Sequence, residues 1–305
     1  MPSKLRLFYF IIFSYLWFGP VNAGSLIPFA DAHIHYNWDQ AEIISAEAVV
    51  EKLKREKVGL ALVSSTPSHL ALELRKVGGD WIIPFFSPYT HELGRRDWYL
   101  DKAVVKKAAA GLEQGLYFGI GEIHFMAGFL PRPDNAVFVG LMNLAVQHKV
   151  PAMIHVDAAD ERFFLGICKA YLEVKIIFAH AGGNLKARHI RAVLEQCPNV
   201  TVDLAARDDW RYGGLTDAKG MLLPAWKKLV VAFPGRFITG TDPVWRVTRT
   251  QSWDEPDDGW DHYKQLFQYH QTWLNALPDA VHRKIAWENV RQLLSPTLRR
   301  AQESN

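Results

Sequence analysis

Short apolar runs alternate with stretches of helical spacing along this chain, and the alternation repeats eight times. The runs at 29–35, 58–63, 81–86, 116–124, 150–157, 175–180, 200–205 and 236–241 read as strands. Continuous apolar runs such as 58–63, bounded by Ser64 and Ser65, suit strands buried on both faces. Between them, 45–56, 68–77, 101–113, 135–148, 160–173, 185–197 and 222–233 read as helices. In the first of these Ala48, Val49 and Leu53 share one side, and Asp101 is placed to cap the third. Two more helical stretches, 260–277 and 280–294, follow the last strand.

Strands alternating with helices, mostly apolar through their middles, make a parallel sheet covered on its outside. An open doubly wound sheet and a closed barrel both satisfy that alternation. Eight units, a length near the ~250 residues common for barrels, and ligand-type residues at strand ends favour the barrel. The expected fold is therefore α/β: a distorted (β/α)8 TIM barrel with extra C-terminal helices.

Composition refines this picture at the ends and in its partners. At 305 residues and 49% hydrophobic, the chain can bury one large core. Lys4 and Arg6 precede an apolar run at 7–18 broken only by Ser14, and Val21-Asn22-Ala23 has the small-x-small form of a cleavage site. That reads as a secretory signal peptide, and the run is shorter than the ~20 residues of a spanning helix. The expected domains are a signal peptide at 1–23 and one barrel at 24–305, acting in the periplasm or as a secreted protein, without stable membrane insertion. Cleavage would remove only Lys4 and Arg6 among the charges, taking the formal net charge from +3 to about +1. No Lys/Arg cluster interleaved with aromatics occurs, so nucleic acid is not an implied partner. A homo-oligomer is compatible with the sequence. Cys168 and Cys197 are the only cysteines; the expectation is two buried free thiols, although export would permit one bridge. Asn199-Val200-Thr201 matches a glycosylation sequon but falls on a strand expected to be buried.

The polar residues at the strand ends carry the chemistry. His33 and His35 are two apart, so a strand puts them on one face, roughly 6–7 Å apart. Strand four ends in Glu122, with His124 two residues on; strand five in His155, with Asp157 in phase; strand six in His180; strand eight in Asp242. A barrel gathers these ends around one mouth. Several imidazoles with one or two carboxylates form the donor set of a catalytic zinc-type site that keeps one position open. Asp242 has a second use, because a carboxylate there can accept a proton and later return it. Arg207 and Arg211, after strand seven, are candidates for a bidentate clamp on a substrate carboxylate, with solvated loop arginines as the alternative. Arg246 is a further candidate, and Trp245, Trp210, Trp38 and Tyr36 are candidate pocket walls, Trp245 foremost. His91 and His124 read as structural. His69, His148, His189, His262, His270 and His282 fall on helices or helix ends and read as unrelated to the site.

His33-Ile34-His35, Glu122, His155, His180 and Asp242, in that order, resemble the ligand series of the amidohydrolase superfamily of metal-dependent hydrolases. Phe178-Ala179-His180-Ala181-Gly182-Gly183 and Trp287-Glu288-Asn289-Val290-Arg291-Gln292-Leu293-Leu294 resemble its amidohydrolase-related, aminocarboxymuconate-decarboxylase-like branch. The resemblance implies metal-ligand roles for His33, His35, His155 and Asp242, with Asp242 also moving protons. It implies that His180 binds a second metal or polarises the substrate. It implies that Glu122 bridges two metals or accepts a hydrogen bond beside one, and a single metal is slightly preferred. The implied cofactor is a divalent metal, zinc first, as one or two ions. The expected activity is hydrolysis of a small amide, lactone or related carboxylic-acid derivative. The alternatives are non-oxidative decarboxylation of a small acid, and a barrel that binds a small molecule without catalysis. Fold alone names no substrate.

Overall fold

The structure is a computed structural model and describes residues 27–90, 94–126, 131–157, 160–244 and 256–303. The segment at 1–23, His91, Trp245 and Arg246 lie outside the described residues.

Among the described residues there are eight parallel strands: β1 Phe29–Ile34, β2 Val58–Ser64, β3 Ile82–Phe85, β4 Ile120–Phe125, β5 Ala152–Val156, β6 Ile176–Phe178, β7 Val200–Asp203 and β8 Phe237–Ile238. They pair in sequence order as β1-β2-β3 and β4-β5-β6-β7-β8. Backbone hydrogen bonds close both seams. Between β3 and β4, Phe118 N donates to Pro84 O (2.8 Å), Phe86 N to Gly119 O (2.9 Å) and Gly121 N to Phe86 O (2.8 Å). Between β8 and β1, Ala32 N donates to Thr239 O (3.0 Å) and Asp242 N to His33 O (2.7 Å). The eight-fold (β/α)8 TIM barrel expected from the alternation is therefore the observed fold.

Its helices are α1 Trp38–Ala41, α2 Ala46–Arg55, α3 His69–Gly78, α4 Ala103–Glu113, α5 Ala136–Gln147, α6 Glu161–Ala170, α7 Ala187–Gln196, α8 Pro224–Ala232, α9 Tyr263–Leu274, α10 Asp279–Arg283 and α11 Asn289–Glu303. Their apolar sides and the outward faces of the strands form the larger core, which includes Val49, Leu53, Leu74, Phe138 and Ile190. A second core fills the barrel: Ala30, Leu60, Leu62, Phe85, Met153, Ile177 and Ile238 point inward and meet Val290 and Leu294 of α11. Trp287 packs against Gly59 near the start of β2, and Asn289 Nδ2 donates to Phe237 O at the start of β8 (2.7 Å). The C-terminal helices thus stopper the N-terminal end of the barrel and leave the other end for chemistry.

Two expectations are corrected, for the eighth strand and for the cysteines. The eighth strand is not 236–241 but the two residues of β8. Past Ile238 the chain leaves β7 and turns toward β1, where Thr241 N and Oγ1 both donate to the buried Asp31 carboxylate (2.8 Å each), as does Tyr263 Oη (3.0 Å). Gly240 permits that approach, since a Cβ there would lie 2.5 Å from His33 N. The last helical stretch runs without a break through 280–294, as expected, with a π-helical insert at Lys284–Glu288 joining α10 to α11. Finally, Cys168 and Cys197 are not free thiols but form a disulfide that ties α6 to the end of α7.

The bridge spans 29 residues of sequence, and closing such a loop in the unfolded chain is worth about 3–4 kcal/mol. The double variant Cys168→Ala/Cys197→Ala should lose roughly that stability in denaturant titrations. Reductant should lower the midpoint of the wild type and leave that of the variant unchanged. The sequon asparagine is occupied structurally: Asn199 Nδ2 reaches the carbonyls of Cys168 (3.3 Å), Tyr171 (3.0 Å) and Val174 (3.1 Å). No described helix is long and apolar enough to cross a membrane.

Candidate metal centre

At the C-terminal ends of the strands, five imidazoles face one carboxylate. Glu122 Oε1 lies 2.7 Å from His155 Nδ1 and 3.1 Å from His180 Nε2. Its Oε2 lies 3.3 Å from His35 Nε2, 3.4 Å from His124 Nε2 and 3.6 Å from His33 Nε2. A shift of register between Asp31 and Ile34 in the pairing with β2 accompanies the turn of β1 into the site, where His33 Nε2 and His35 Nε2 come within 3.1 Å. None of these six residues is more than 6% exposed. Polar groups this buried need partners.

The outward nitrogens show how the rings are set. His33 Nδ1 meets Asp203 Oδ2 (2.8 Å), His35 Nδ1 meets Ser64 O (2.5 Å), and His180 Nδ1 meets Ala205 O (3.1 Å). His155 Nε2 meets Asp157 Oδ2 (2.8 Å). Carbonyls and carboxylates only accept, so at each of these four rings the outward nitrogen carries the proton and, in the neutral ring, the inward one offers a lone pair. His124 Nδ1 meets the Tyr89 hydroxyl (2.6 Å), which also accepts from His124 N (2.8 Å).

Asp242 completes the cluster. Its Oδ1 is 3.4 Å from His35 Nε2 and its Oδ2 is 3.9 Å from His180 Nε2 and 3.4 Å from Arg211 Nη1. Buried Oδ1 has no hydrogen-bond partner. Asp242 and His180 also hold positive φ, 47° and 54°, a region L-residues seldom adopt, and strain of this kind gathers at functional sites.

The charges are strongly coupled. Burial pushes the Glu122 carboxyl upward, but the imidazoles of His124, His33 and His155 override it and hold it well below the usual range. Burial pushes Asp242 upward too, and His33, His180 and Arg211 bring it down to about 2. Burial would lower His155, yet Glu122 and Asp157 raise it to about 9. His33 likewise stands well above its usual value, against burial, because of Glu122 and Asp203. Burial drives His124 well below its usual value despite Glu122.

Three overlapping sets have ligand atoms within 4.8 Å of one another: His33, His35 and Glu122; His33, His180 and Asp242; and Glu122, His124 and His155. Inward lone pairs and the partnerless Asp242 Oδ1 fit a divalent cation, and imidazole with carboxylate suits zinc among others. A ligand imidazole must be deprotonated, so binding would release protons from rings whose metal-free values are raised. Apparent zinc affinity should accordingly climb as pH rises from 6 and level off near the His155 value of about 9. Titration against a competing chelator at several pH values checks this; an affinity independent of pH would contradict the ligand assignment.

The site residues expected from sequence are distributed unevenly. His33, His35, Glu122, His155, His180 and Asp242 converge. Arg211 touches the cluster, but its guanidinium is committed to Asp208 (Nε–Oδ2 2.9 Å), Thr241 O (2.8 Å) and Asp242 O. Arg207 is 2% exposed, lies over the Trp226 ring at 5.1 Å and donates to Leu185 O (3.2 Å), while its Nε and Nη1 have no partner. Tyr36 points away and donates to Ile44 O (3.0 Å). Trp210 lies against His262, with ring centroids 6.2 Å apart. Trp245 and Arg246 fall outside the described residues.

His124, expected to be structural, lies with Nε2 3.4 Å from Glu122 Oε2. Asp203, Tyr89 and Tyr212 join the site without having been expected there. Asp203 had a signal, being the carboxylate that ends strand seven. The two tyrosines had none, since loop conformation alone brings them in.

A family model described as amidohydrolase matches residues 30–295. The chain belongs to the amidohydrolase family. Among solved structures, this amidohydrolase chain resembles a zinc-bound amidohydrolase from Burkholderia multivorans, at 14% identity and TM-score 0.56, covering 88% of this chain and 99% of that one. It also resembles a protein from Pseudomonas putida assigned as a 2-pyrone-4,6-dicarboxylic acid hydrolase, at 14% identity and TM-score 0.56, covering 88% and 98%. A dihydroorotase from Campylobacter jejuni is similar at 12% identity and TM-score 0.53, covering 88% and 83%. At such identities the likeness concerns the fold. No curated protein sequence matches the chain.

Proposed function

We propose that this protein is a metal-dependent hydrolase of a small amide, lactone or related carboxylic-acid derivative, with a divalent metal, zinc first, held at the cluster around Glu122. The observation that carries the reading is the set of imidazoles whose outward nitrogens are fixed while their inward nitrogens face one carboxylate. His33, His35 and Asp242 would hold the ion, with Glu122, His155 and His180 completing the donor set. When bound, such a metal polarises a carbonyl and acidifies water. The rest falls to the chain. Asp242 Oδ1, free of hydrogen bonds, accepts the proton released by the attacking water and returns it to the leaving group. Arg211 holds the Asp242 carboxylate and backbone so that this oxygen stays aimed at the site. His180 Nε2, 3.1 Å from Glu122 Oε1 and 3.9 Å from Asp242 Oδ2, turns its lone pair to the same site.

Arg207, whose buried Nε and Nη1 lack acceptors, supports a carboxylate on the substrate, and Trp245 and Arg246 belong to the same proposal for substrate binding, while Arg211 is taken up by Asp208 and Asp242. The structural relative assigned to a pyrone dicarboxylic acid and the dihydroorotase are in keeping with this class. Export is part of the reading, and the Cys168–Cys197 bridge supports an oxidising compartment.

The test is metal analysis of the purified protein combined with a panel of lactones, amides and phosphoesters. Bound zinc with turnover of a lactone or amide is expected. Release of carbon dioxide from a carboxylic acid would replace hydrolysis by decarboxylation. Bound metal with no turnover on either assay would leave a binding barrel, and a protein that takes up no divalent metal would overturn the proposal.

A further inference from the structure

His155 differs from the other rings around Glu122. His33, His35, His124 and His180 turn Nε2 inward, whereas His155 turns Nδ1 inward and Nε2 toward the mouth. What waits at the mouth is a pair. Asp157, at the end of β5, meets His155 Nε2 at 2.8 Å. Tyr212, from the loop after β7, donates its hydroxyl to Asp157 Oδ1 (2.9 Å), with Oδ2 at 3.2 Å, and stands 3.4 Å from His155 Nε2. The Asp157 side chain is 29% exposed, unlike those of Glu122 and Asp242 at 2% and 7%. Two groups hold this partly exposed carboxylate, the His155 ring at Oδ2 and the Tyr212 hydroxyl at Oδ1.

The loop is built to deliver that tyrosine. Tyr212 N donates to Ala206 O (3.1 Å), and its ring lies 5.5 Å from the His180 ring. Gly183 has φ +61°, and a Cβ there would meet Tyr212 Cε1 at 3.0 Å and Asp157 Oδ1 at 3.3 Å. The second glycine of the Ala181-Gly182-Gly183 segment therefore clears the space in which Tyr212 meets Asp157.

We propose that Tyr212, acting through Asp157, is the positioning residue that fixes the His155 ring with Nδ1 toward Glu122, and that Gly183 makes room for it. The inference rests on the metal-site reading above, but its geometry stands in the metal-free protein as well. Partners of this kind typically change metal affinity about 10–100-fold.

Zinc alone is titrated against a chelator into the full-length protein and into Tyr212→Phe, Asp157→Asn, the double variant and Gly183→Ala, with unfolding of each metal-free variant measured alongside. Tyr212→Phe should bind zinc about 10-fold more weakly and Asp157→Asn about 10–100-fold more weakly, with metal-free unfolding temperatures unchanged. The double variant should match Asp157→Asn, because the tyrosine works through the aspartate. Gly183→Ala should weaken zinc binding in the same direction as Tyr212→Phe. Wild-type affinity in Tyr212→Phe, additive effects in the double variant, or a fall in affinity of Tyr212→Phe that tracks lost stability would each overturn the proposal. Nitrogen-15 NMR of the metal-free protein keeps the two readings apart. The His155 Nε2 proton should exchange slowly in the wild type and faster in Tyr212→Phe. That result from a protein that binds no zinc would sink the metal reading and keep the positioning; equal exchange in both would sink the positioning.

Discussion

Asp242→Asn is expected to lower turnover by about 100-fold or more, the usual effect of losing a general base, while most of the bound metal stays in place. The substitution is clean at this position. Asn tolerates the left-handed backbone that Asp242 adopts at φ 47°, so the turn into Pro243 survives. The bonds of that turn belong to the main chain, with Val244 N donating to Asp242 O (2.8 Å) and Asp242 N to His33 O (2.7 Å). Only the side chain changes: a charged acceptor with a partnerless Oδ1 becomes a neutral amide. Activity is followed as kcat on the substrate found in the panel, and metal content by elemental analysis. If activity and metal were lost in the same proportion, Asp242 would be chiefly a ligand. A fully active, fully metallated variant would remove it from the mechanism.

The second large effect concerns Glu122. Among the described residues it is the one carboxylate that faces His33, His35, His124, His155 and His180 together, at 2.7–3.6 Å. Glu122→Gln keeps the shape but removes the charge and sets an amide among lone pairs. Zinc affinity should fall by about 100-fold or more, beyond what an outer partner contributes. Stability reports the same event. With zinc at about 1,000 times its Kd, binding adds about 4 kcal/mol to the unfolding free energy of the wild type. A 100-fold weaker site at that concentration retains only about 1.4 kcal/mol. Chelation should erase the increment in both proteins and, in the wild type, abolish turnover. Thermal unfolding with and without zinc reads this directly. A Glu122→Gln protein that is stabilised as fully as the wild type would leave Glu122 as an acceptor for His155 and His180 and no ligand.

The sequence by itself determined the architecture and most of the cluster. Eight buried apolar runs separated by amphipathic helices have few ways to satisfy their backbones, and the parallel barrel is one that also brings every strand end to one mouth. Position at a strand end is local information, so His33, His35, Glu122, His155, His180 and Asp242 could be named from spacing alone. Loop conformation and register are not local, and there the tertiary structure decided. β8 is two residues long because Thr241 leaves the ladder for Asp31, a contact across 210 positions of sequence. The cysteines are bridged because α6 and α7 pack side by side, which brings the two Cα atoms to 6.0 Å. His124, assigned to structure from sequence, faces Glu122 because β4 carries both residues into the mouth. Arg211, a substrate clamp by its place in the sequence, is held by Asp208 and the Thr241 carbonyl. Tyr212 reaches Asp157 from the β7–α8 loop, beside Gly183, contacts that no local pattern announces. Ligand-type residues in a strand or within a few residues of its end were legible, whereas the partners that a loop supplies, Arg211 to Asp242 and Tyr212 to Asp157, were not.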